Sequence, residues 1–268
     1  MPIASMPMYD LSEVEGALDS LWAGLARHLR REGFSEVPDR IQHGRNLADL
    51  WDDPDLWFSQ CCGYDIVRRY AGKLRPVATP HYGAPGCKGS RYASNVVVAE
   101  DCEANDVLEM FGAICVVNGL ESHSGANALK ALVAPRNRDG RFFSEVKVSG
   151  THIASLEMIR RGEADVAAID CVTYALLESY RPAALAGIRK LGRTYRAPAI
   201  PYVTRWDEDK DRVERLRTAI FNAFSDPDLT VTRQALYLKS IEALPVLAYH
   251  QISEHEDYAA RLGYPELR

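Results

Sequence analysis

The chain has 268 residues, of which 47% are hydrophobic and 26% are charged. These values are typical of a folded globular protein and exclude disorder, collagen-like repeats and low complexity. The length exceeds that of most single domains, so we expect one large α/β unit or two lobes. The 37 acidic and 32 basic residues give a net charge of -5, which offers no general electrostatic reason to bind nucleic acid or an anionic membrane. Any anion must therefore be held by a local group of residues.

Short apolar runs alternate with helical patterns along most of the chain. Apolar residues from Val14 to Leu29 recur at three-and-four spacing and predict a helix, with a capping box formed by Ser12 and Glu15 at its start. Buried strands are predicted at residues 2–6, 56–60, 95–99, 113–117, 142–148 and 165–169, and further helices at 107–111, 125–134, 153–161 and 172–180. The alternation predicts an α/β fold with a mostly parallel sheet, followed from Asp209 by a mainly helical tail.

Neither a membrane-spanning segment nor a secretory signal is evident. No run approaches the roughly 18 apolar residues of a membrane span, so we expect no membrane insertion. The start of the chain lacks the basic region and the apolar core of a signal peptide. We therefore expect a periplasmic protein if a signal peptide has been removed from this sequence, and a cytoplasmic protein otherwise. The six cysteines match no zinc-binding spacing, and glycine-rich nucleotide motifs are absent, so no metal and no cofactor is expected.

Two strand-to-helix junctions have an unusual polar composition. Residues 118–127 include Ser122 and Ser124 next to a histidine, and residues 148–155 include two serines, a threonine and His152. Unpaired backbone N–H groups and the positive end of the helix dipole make a helix N-terminus favourable for an oxyanion. Ordinary N-capping would explain one hydroxyl at either junction. Two such junctions, each with a histidine, favour anion binding over capping alone.

Five other positions carry side chains suited to a ligand. Gln60 ends a predicted strand, and its amide is a hydrogen-bond donor. Asp170 ends another strand before a helix, where its carboxylate would either cap the helix or accept a proton from the ligand. Tyr9, Tyr82 and Tyr92 have phenolic donors that would line a pocket, although tyrosine is also common at protein surfaces.

Taken together, these segments resemble the motifs of one known family. In chain order they are Ser59-Gln60-x-Cys62-Gly63-Tyr64, Ala84-Pro85-Gly86-Cys87-x-Gly89, Tyr92-x-Ser94, Ser122-His123-Ser124-Gly125-x-Asn127, Ser149-Gly150-Thr151-His152-x-x-Ser155 and Ala164-Asp165-Val166-Ala167-Ala168-Ile169-Asp170. The set is similar to the phosphate/phosphonate-type substrate-binding proteins of ABC transporters. Each motif is weak alone, and their shared order makes the resemblance specific.

The resemblance implies a type II periplasmic-binding-protein fold, in which two α/β lobes close on a ligand in the cleft between them. We expect residues 1–97 and 203–268 to form the first lobe and residues 98–202 to form the second. The chain would cross between the lobes near residues 97–100 and again near residues 199–204.

The same resemblance implies a non-catalytic receptor that binds phosphate, phosphite or a phosphonate and delivers it to an ABC transporter permease. The implied ligand-binding residues are Tyr9, Gln60, Tyr92, Ser122, Ser124, His152 and Asp170. The two serines and the histidine would hold the oxyanion, while the two tyrosines and the glutamine would come from the opposite lobe. The aspartate would face the variable end of the ligand or its acidic proton. Cys62 and Cys87 fall on family motif positions, and we take a disulfide between them as a hypothesis, one that would favour an oxidising compartment.

Two alternative functions stay open at this point. A cysteine-dependent enzyme on the same fold would use Cys61 or Cys62 as its nucleophile, with His81 as the base and Arg91 as an anion clamp. A cytosolic ligand sensor would bind the same anion and act through a protein partner.

Overall fold

The computed structural model describes all residues from Met1 to Arg268. Its strands are β1 (Ile3–Ala4), β2 (Leu56–Gln60), β3 (Leu74–Tyr82), β4 (Arg91–Tyr92), β5 (Ser94–Ala99), β6 (Ile114–Val117), β7 (Glu145–Val148), β8 (Val166–Asp170), β9 (Ile188–Arg193), β10 (Ala197–Pro198), β11 (Tyr202–Arg205) and β12 (Leu238–Glu242). Its α-helices are α1 (Glu15–Arg31), α2 (Leu47–Trp51), α3 (Gly63–Val67), α4 (Ala128–Val133), α5 (His152–Arg160), α6 (Cys171–Tyr180), α7 (Lys210–Ser225), α8 (Thr230–Ala235) and α9 (His250–Arg261).

The chain forms two compact units, each with its own sheet. Unit 1 consists of Met1–Gly83, Lys88–Ser90 and Ala199–Ala248, and unit 2 consists of Ala84–Cys87, Arg91–Pro198 and Tyr249–Arg268. The boundary after Pro198 lies at the start of the second crossing expected near residues 199–204.

Two parts of the expected division differ from these units. The first crossing, expected near residues 97–100, falls at the end of β5, which is hydrogen-bonded to β8 on one side and β9 on the other within unit 2. The chain instead passes between the units within residues 83–91. The C-terminal residues 249–268, expected in the first lobe, belong to unit 2 because α9 packs against α4.

Unit 1 contains a five-stranded sheet in the order β1-β2-β11-β3-β12. Only β1 and β2 are parallel, and the other neighbours run antiparallel. All five side chains of β2 are buried, as its uninterrupted Leu-Trp-Phe start suggests. Helix α1 buries Leu18, Leu21, Trp22, Leu25 and Leu29 on one face and packs against α7.

The start of α1 differs from the predicted capping box. The residue before the helix is Val14, which makes no side-chain capping bond, and the Ser12 hydroxyl donates to the Glu13 carboxylate at 3.1 Å. The helix ends before Gly33, whose φ of +82° lies in the left-handed region that glycine tolerates.

Unit 2 contains a second five-stranded sheet, in the order β7-β6-β8-β5-β9. Strands β6, β7 and β8 are parallel, so their carboxyl ends lie at one edge of the sheet. Strand β5 runs antiparallel to β8, and this places its first residue, Ser94, opposite Asp170 at the same edge. The two polar strand-to-helix junctions identified in the sequence, after β6 and after β7, therefore lie at this edge.

The prediction of a mostly parallel sheet is wrong, because both sheets are mixed and antiparallel pairs are the more numerous. The returning strands β5, β9, β11 and β12 cause the difference, since each runs against its neighbours. Three of these strands, β9, β11 and β12, lack the uninterrupted apolar runs by which β2 and β8 can be predicted from the sequence. None of the helices is both long enough and apolar enough to span a membrane.

Candidate ligand-binding site

The first polar junction lies between β6 and α4. Ser122 caps a buried π-helical turn, His123–Asn127, by accepting a hydrogen bond from the Gly125 N–H at 3.1 Å. Ser94 at the start of β5 donates its hydroxyl to the Ser124 carbonyl at 2.8 Å. These two hydrogen bonds hold the turn against the edge of the unit 2 sheet. They thereby fix the positions of Ser122 and Ser124.

Gly125 permits a close approach within this junction. A β-carbon at position 125 would lie 1.9 Å from Oδ1 of Asn118, a separation that no real structure contains. The Asn118 Oδ1 atom is itself buried and has no hydrogen-bond partner. A β-carbon at position 125 would therefore force the Asn118 side chain out of its present position.

The second polar junction lies between β7 and α5. Thr151 caps α5 by accepting a hydrogen bond from the Ala154 N–H at 3.0 Å. The hydroxyls of Ser149 and Ser155 bond to each other at 2.7 Å. Capping by Thr151 leaves His152, the first residue of the helix, available for other contacts.

The structure brings the two junctions together through side chains. The Ser124 hydroxyl lies 3.0 Å from Nε2 of His152, and it also makes a long contact of 3.4 Å with the Ser122 hydroxyl. Three of the predicted oxyanion-binding residues thus form one polar cluster, which we call the Ser-His cluster (Ser122, Ser124 and His152).

The imidazole in the Ser-His cluster is neutral at physiological pH. Burial lowers the pKa of His152 to about 4. A neutral ring has one donor and one acceptor nitrogen, and the buried Nδ1 has no partner within the protein. The cluster therefore offers hydroxyl and imidazole hydrogen bonds without a fixed positive charge of its own.

Asp170 lies at the carboxyl end of β8 and is almost fully buried, with 2% exposure. Its Oδ1 atom accepts hydrogen bonds from the backbone N–H groups of Val172 at 2.7 Å and Thr173 at 3.1 Å. Of the two roles that the sequence left open, helix capping is thus observed. A contact between Asp170 and a ligand stays a prediction.

Tyr92 occupies a different place from the one expected. It lies in β4, which pairs with β10 inside unit 2, so it is not supplied by the lobe opposite the Ser-His cluster. The side chain is buried, and its ring centroid lies 6.1 Å from that of His123 in the capped turn.

Tyr9 and Gln60 lie together in unit 1. Tyr9 ends a short 3-10 helix, and its ring packs edge to face on that of Tyr82 at a centroid distance of 5.2 Å. The Gln60 Nε2 atom makes a long hydrogen bond of 3.5 Å to the Tyr82 hydroxyl, while its Oε1 atom is buried without a partner. Tyr82, the last residue of β3, therefore contacts both Tyr9 and Gln60.

Helix α9 adds residues that the sequence did not assign to this region. The Asn127 side chain donates to the Ile252 carbonyl at 2.9 Å, and the rings of His123 and His255 stack at a centroid distance of 5.7 Å. Burial, reinforced by His255, lowers the pKa of His123 to about 3. The spacing of Ile252, His255 and Ala259 on one face of α9 was the available signal for this packing.

The structure contains no disulfide, so the pairing of Cys62 with Cys87 stays a prediction. Cys62 belongs to unit 1 and Cys87 to unit 2. The Sγ atom of Cys87 lies 3.4 Å from Sγ of Cys171.

The geometry does not favour the cysteine-dependent enzyme. Burial raises the pKa of the Cys61 thiol well above its ordinary value, with the charge of Asp65 as a smaller cause. A nucleophilic cysteine needs the opposite shift together with solvent access. The proposed base, His81, is hydrogen-bonded through Nδ1 to the Ser240 hydroxyl at 2.9 Å.

Residues 7–245 match the family model described as "ABC transporter, phosphonate, periplasmic substrate-binding protein". The chain belongs to this family. Members of the phosphonate-binding family are non-catalytic components of transporters, so family membership also opposes the enzyme hypothesis. Comparison with curated proteins gave no match.

Solved structures show that the chain has the fold of the phosphonate-binding family. A binding protein component of an ABC phosphonate transporter from Pseudomonas aeruginosa superposes with a TM-score of 0.76 at 16% identity, over 97% of this chain and 87% of that one. PhnD1 from Prochlorococcus marinus, in complex with methylphosphonate, gives 0.74 at 14% identity over 97% and 98%. XAC2383 from Xanthomonas citri, bound to chloride ion, gives 0.71 at 14% identity over 97% and 98%. The predicted α/β periplasmic-binding-protein fold is confirmed.

Proposed function

We propose that this member of the phosphonate-binding family binds a small phosphorus oxyanion, a phosphonate above all, and delivers it to an ABC transporter permease. The observation that carries the proposal is the Ser-His cluster, which joins two strand-to-helix junctions through the 3.0 Å contact between Ser124 and His152.

Neutral donors at helix N-termini suit this ligand class. Hydroxyl, imidazole and backbone N–H groups bind the oxygens of an oxyanion by charge-assisted hydrogen bonds, each worth about 1.5–3 kcal/mol. The positive ends of helix dipoles add to this attraction. The acidic net charge of -5 does not oppose it, because these groups act at short range.

The ligands of structural relatives support an anion without selecting one. PhnD1 was solved with methylphosphonate, and XAC2383 was solved with chloride and also with ATP. Methylphosphonate is the natural first probe because the family is described by phosphonate binding. Phosphate and phosphite test whether the fourth substituent on phosphorus matters.

We propose further that Asp170, Tyr92, Tyr9 and Gln60 contribute to ligand affinity. The buried Oε1 atom of Gln60 has no partner in the protein and would accept a hydrogen bond from a protonated ligand oxygen. Because Asp170 already accepts two backbone hydrogen bonds, replacement of its carboxylate is expected to affect both α6 and the ligand.

Isothermal titration calorimetry tests the function directly. The wild-type protein is titrated with methylphosphonate, phosphate and phosphite, and with sulfate as an oxyanion lacking phosphorus. We expect saturable binding of at least one phosphorus oxyanion and an affinity about 10- to 100-fold lower in Ser124→Ala, the loss of one charge-assisted hydrogen bond.

The matched control is Ser144→Ala, because Ser144 is an exposed serine of unit 2 that bonds only to the Ala113 carbonyl among its described contacts. It should bind as the wild type does. An absence of heat with every phosphorus oxyanion, or equal affinity of Ser124→Ala and the wild type, would contradict the proposal.

The proposed delivery role requires a periplasmic protein, and the family description supports that location. Cell fractionation of the source organism with an antibody to this chain separates that role from a cytosolic sensor. Recovery in the periplasmic fraction supports transport, and recovery in the cytosol alone supports the sensor.

A further inference from the structure

Two cysteines of unit 2 lie in contact beside the Ser-His cluster's sheet edge. Cys171 is the first residue of α6, directly after Asp170, and its backbone N–H donates to the Ala93 carbonyl at 3.1 Å. Cys87 ends a tight turn in which its N–H donates to the Ala84 carbonyl at 3.0 Å. Their sulfur atoms are 3.4 Å apart. Cys171 is buried, whereas Cys87 is partly exposed.

The turn is held against α6 by contacts that do not involve the thiols. Gly86 has a φ of +122°, and a β-carbon there would lie 2.9 Å from the β-carbon of Cys171. Only glycine allows this conformation and this approach together. The Gly86 carbonyl also accepts a hydrogen bond from Nε of Arg196 at 2.9 Å. These contacts hold the turn beside Cys171 without a bond between the two thiols.

We propose that Cys87 and Cys171 are a redox modification site that closes to an intramolecular disulfide when a disulfide oxidant is present. The oxidant's S–S bond is first broken by the Cys87 sulfur, which forms a mixed disulfide and releases one thiol. The Cys171 sulfur then attacks Cys87, expels the second thiol and completes the bond. The protein loses two protons and two electrons, and the oxidant is reduced to two thiols.

The geometry is compatible with the bond. A disulfide has an S–S length of about 2.05 Å, so the sulfurs must approach from van der Waals contact by about 1.4 Å through side-chain rotation. The oxidising periplasm of the family would supply the oxidant class. The contact with Cys171, together with burial, raises the pKa of the Cys87 thiol, so the thiolate is scarce and the first step is slow.

The test uses the purified full-length chain and oxidised glutathione. After reduction and removal of reductant, the protein is incubated with oxidised glutathione, alkylated and digested without reduction for mass spectrometry. We expect one linked pair of peptides, containing Cys87 and Cys171, and a fall in accessible thiols of the denatured chain from six to four. Recovery of Cys62 linked to Cys87, or of six unlinked thiols after prolonged incubation, would overturn the proposal.

Variants make the assignment specific. Cys62→Ser should form the linked pair to the same extent as the wild type, and Cys171→Ser should form none. Gly86→Ala should lower the yield severalfold, because its β-carbon pushes the turn away from Cys171. Circular dichroism of each reduced variant shows whether it is folded, and an unchanged yield in folded Gly86→Ala would contradict the geometric argument.

Discussion

The hydroxyl of Ser124 lies 3.0 Å from Nε2 of His152, although the two residues stand on different strand-to-helix junctions. The bond joins the turn before α4 to the first residue of α5. Since the ring is neutral at pH 7, the pair acts as a hydrogen-bond relay and not as a charged anchor. Under the proposed function, we therefore predict that the two residues contribute cooperatively to ligand binding.

A double-mutant cycle measures that cooperativity. Ser124→Ala and His152→Ala should each weaken methylphosphonate binding, and the double variant should lose less affinity than the two single losses combined. The expected coupling energy is about 0.5–3 kcal/mol, as for residues in one hydrogen-bond network. A cycle of Ser149→Ala with Ser124→Ala is the control, because Ser149 bonds to Ser155 in a separate pair. Additive losses in the first cycle would show that Ser124 and His152 act independently.

Acidification should destabilise the protein through His123 and His152. Burial lowers their pKa values to about 3 and about 4, from an ordinary value of 6.5. As pH falls below 6.5 the unfolded chain binds protons that the folded chain does not, so stability that is present above pH 6.5 is lost toward pH 4. Thermal unfolding followed at successive pH values should show a falling Tm, with a shallower slope in His152→Gln. An equal slope in that variant would show that His152 is not buried as a neutral ring.

His43 should act in the opposite direction. Burial tends to lower its pKa, but hydrogen bonds to Asp10 at 2.6 Å and Asp19 at 3.2 Å outweigh burial and raise the pKa above 6.5. The stability it contributes is complete below pH 6.5 and is lost as pH rises through the raised value. His43→Gln should therefore flatten the fall in Tm on the alkaline side of pH 6.5. His152→Gln, whose effect lies on the acidic side, is the control, and an unchanged alkaline slope in His43→Gln would refute the assignment.

Gly125→Ala should destabilise the fold by about 1–3 kcal/mol, the usual cost of overpacking. The added β-carbon meets Oδ1 of Asn118 at 1.9 Å, so Asn118→Ala should restore part of the loss in the double variant. Gly119→Ala is the matched control, because nothing lies within 4 Å of a β-carbon at that position. Urea denaturation gives the free energies of unfolding of the wild type, Gly125→Ala, the double variant and Gly119→Ala. Equal losses in Gly125→Ala with and without Asn118→Ala would place the strain elsewhere.

Some of this architecture was predictable because local composition determines it. Strand β2 has the predicted bounds, since its residues are buried on both faces and form one apolar run. Strand β3 was not predicted, because Pro76 and Pro80 argue against a central strand although both lie within it. The antiparallel return of β5 depends on pairing with distant β8 and β9, which no local pattern records.

The candidate site divides in the same way. Ser122, Ser124 and His152 were identifiable because hydroxyls and histidines at two strand ends are unusual together. The placement of Tyr92 in unit 2, and of Cys87 beside Cys171, depends on the turn at residues 84–87 and on the pairing of β4 with β10. Contacts of this kind, between segments distant in sequence, cannot be predicted from the spacing of residues within either segment.

The insertion of β11 between β2 and β3 sets the order in which the chain can fold. Strands β2 and β3 have no direct hydrogen bonds to each other, and their facing edges stay unpaired until Tyr202–Arg205 has been synthesised. Unit 2 likewise depends on a distant segment, since the Phe142 N–H donates to the Arg268 carbonyl at 2.7 Å. Non-local pairing of this kind slows folding and leaves strand edges exposed meanwhile. A nascent chain that has not yet reached Tyr202 therefore leaves one edge of β2 and both edges of β3 unpaired, and unpaired strand edges favour aggregation.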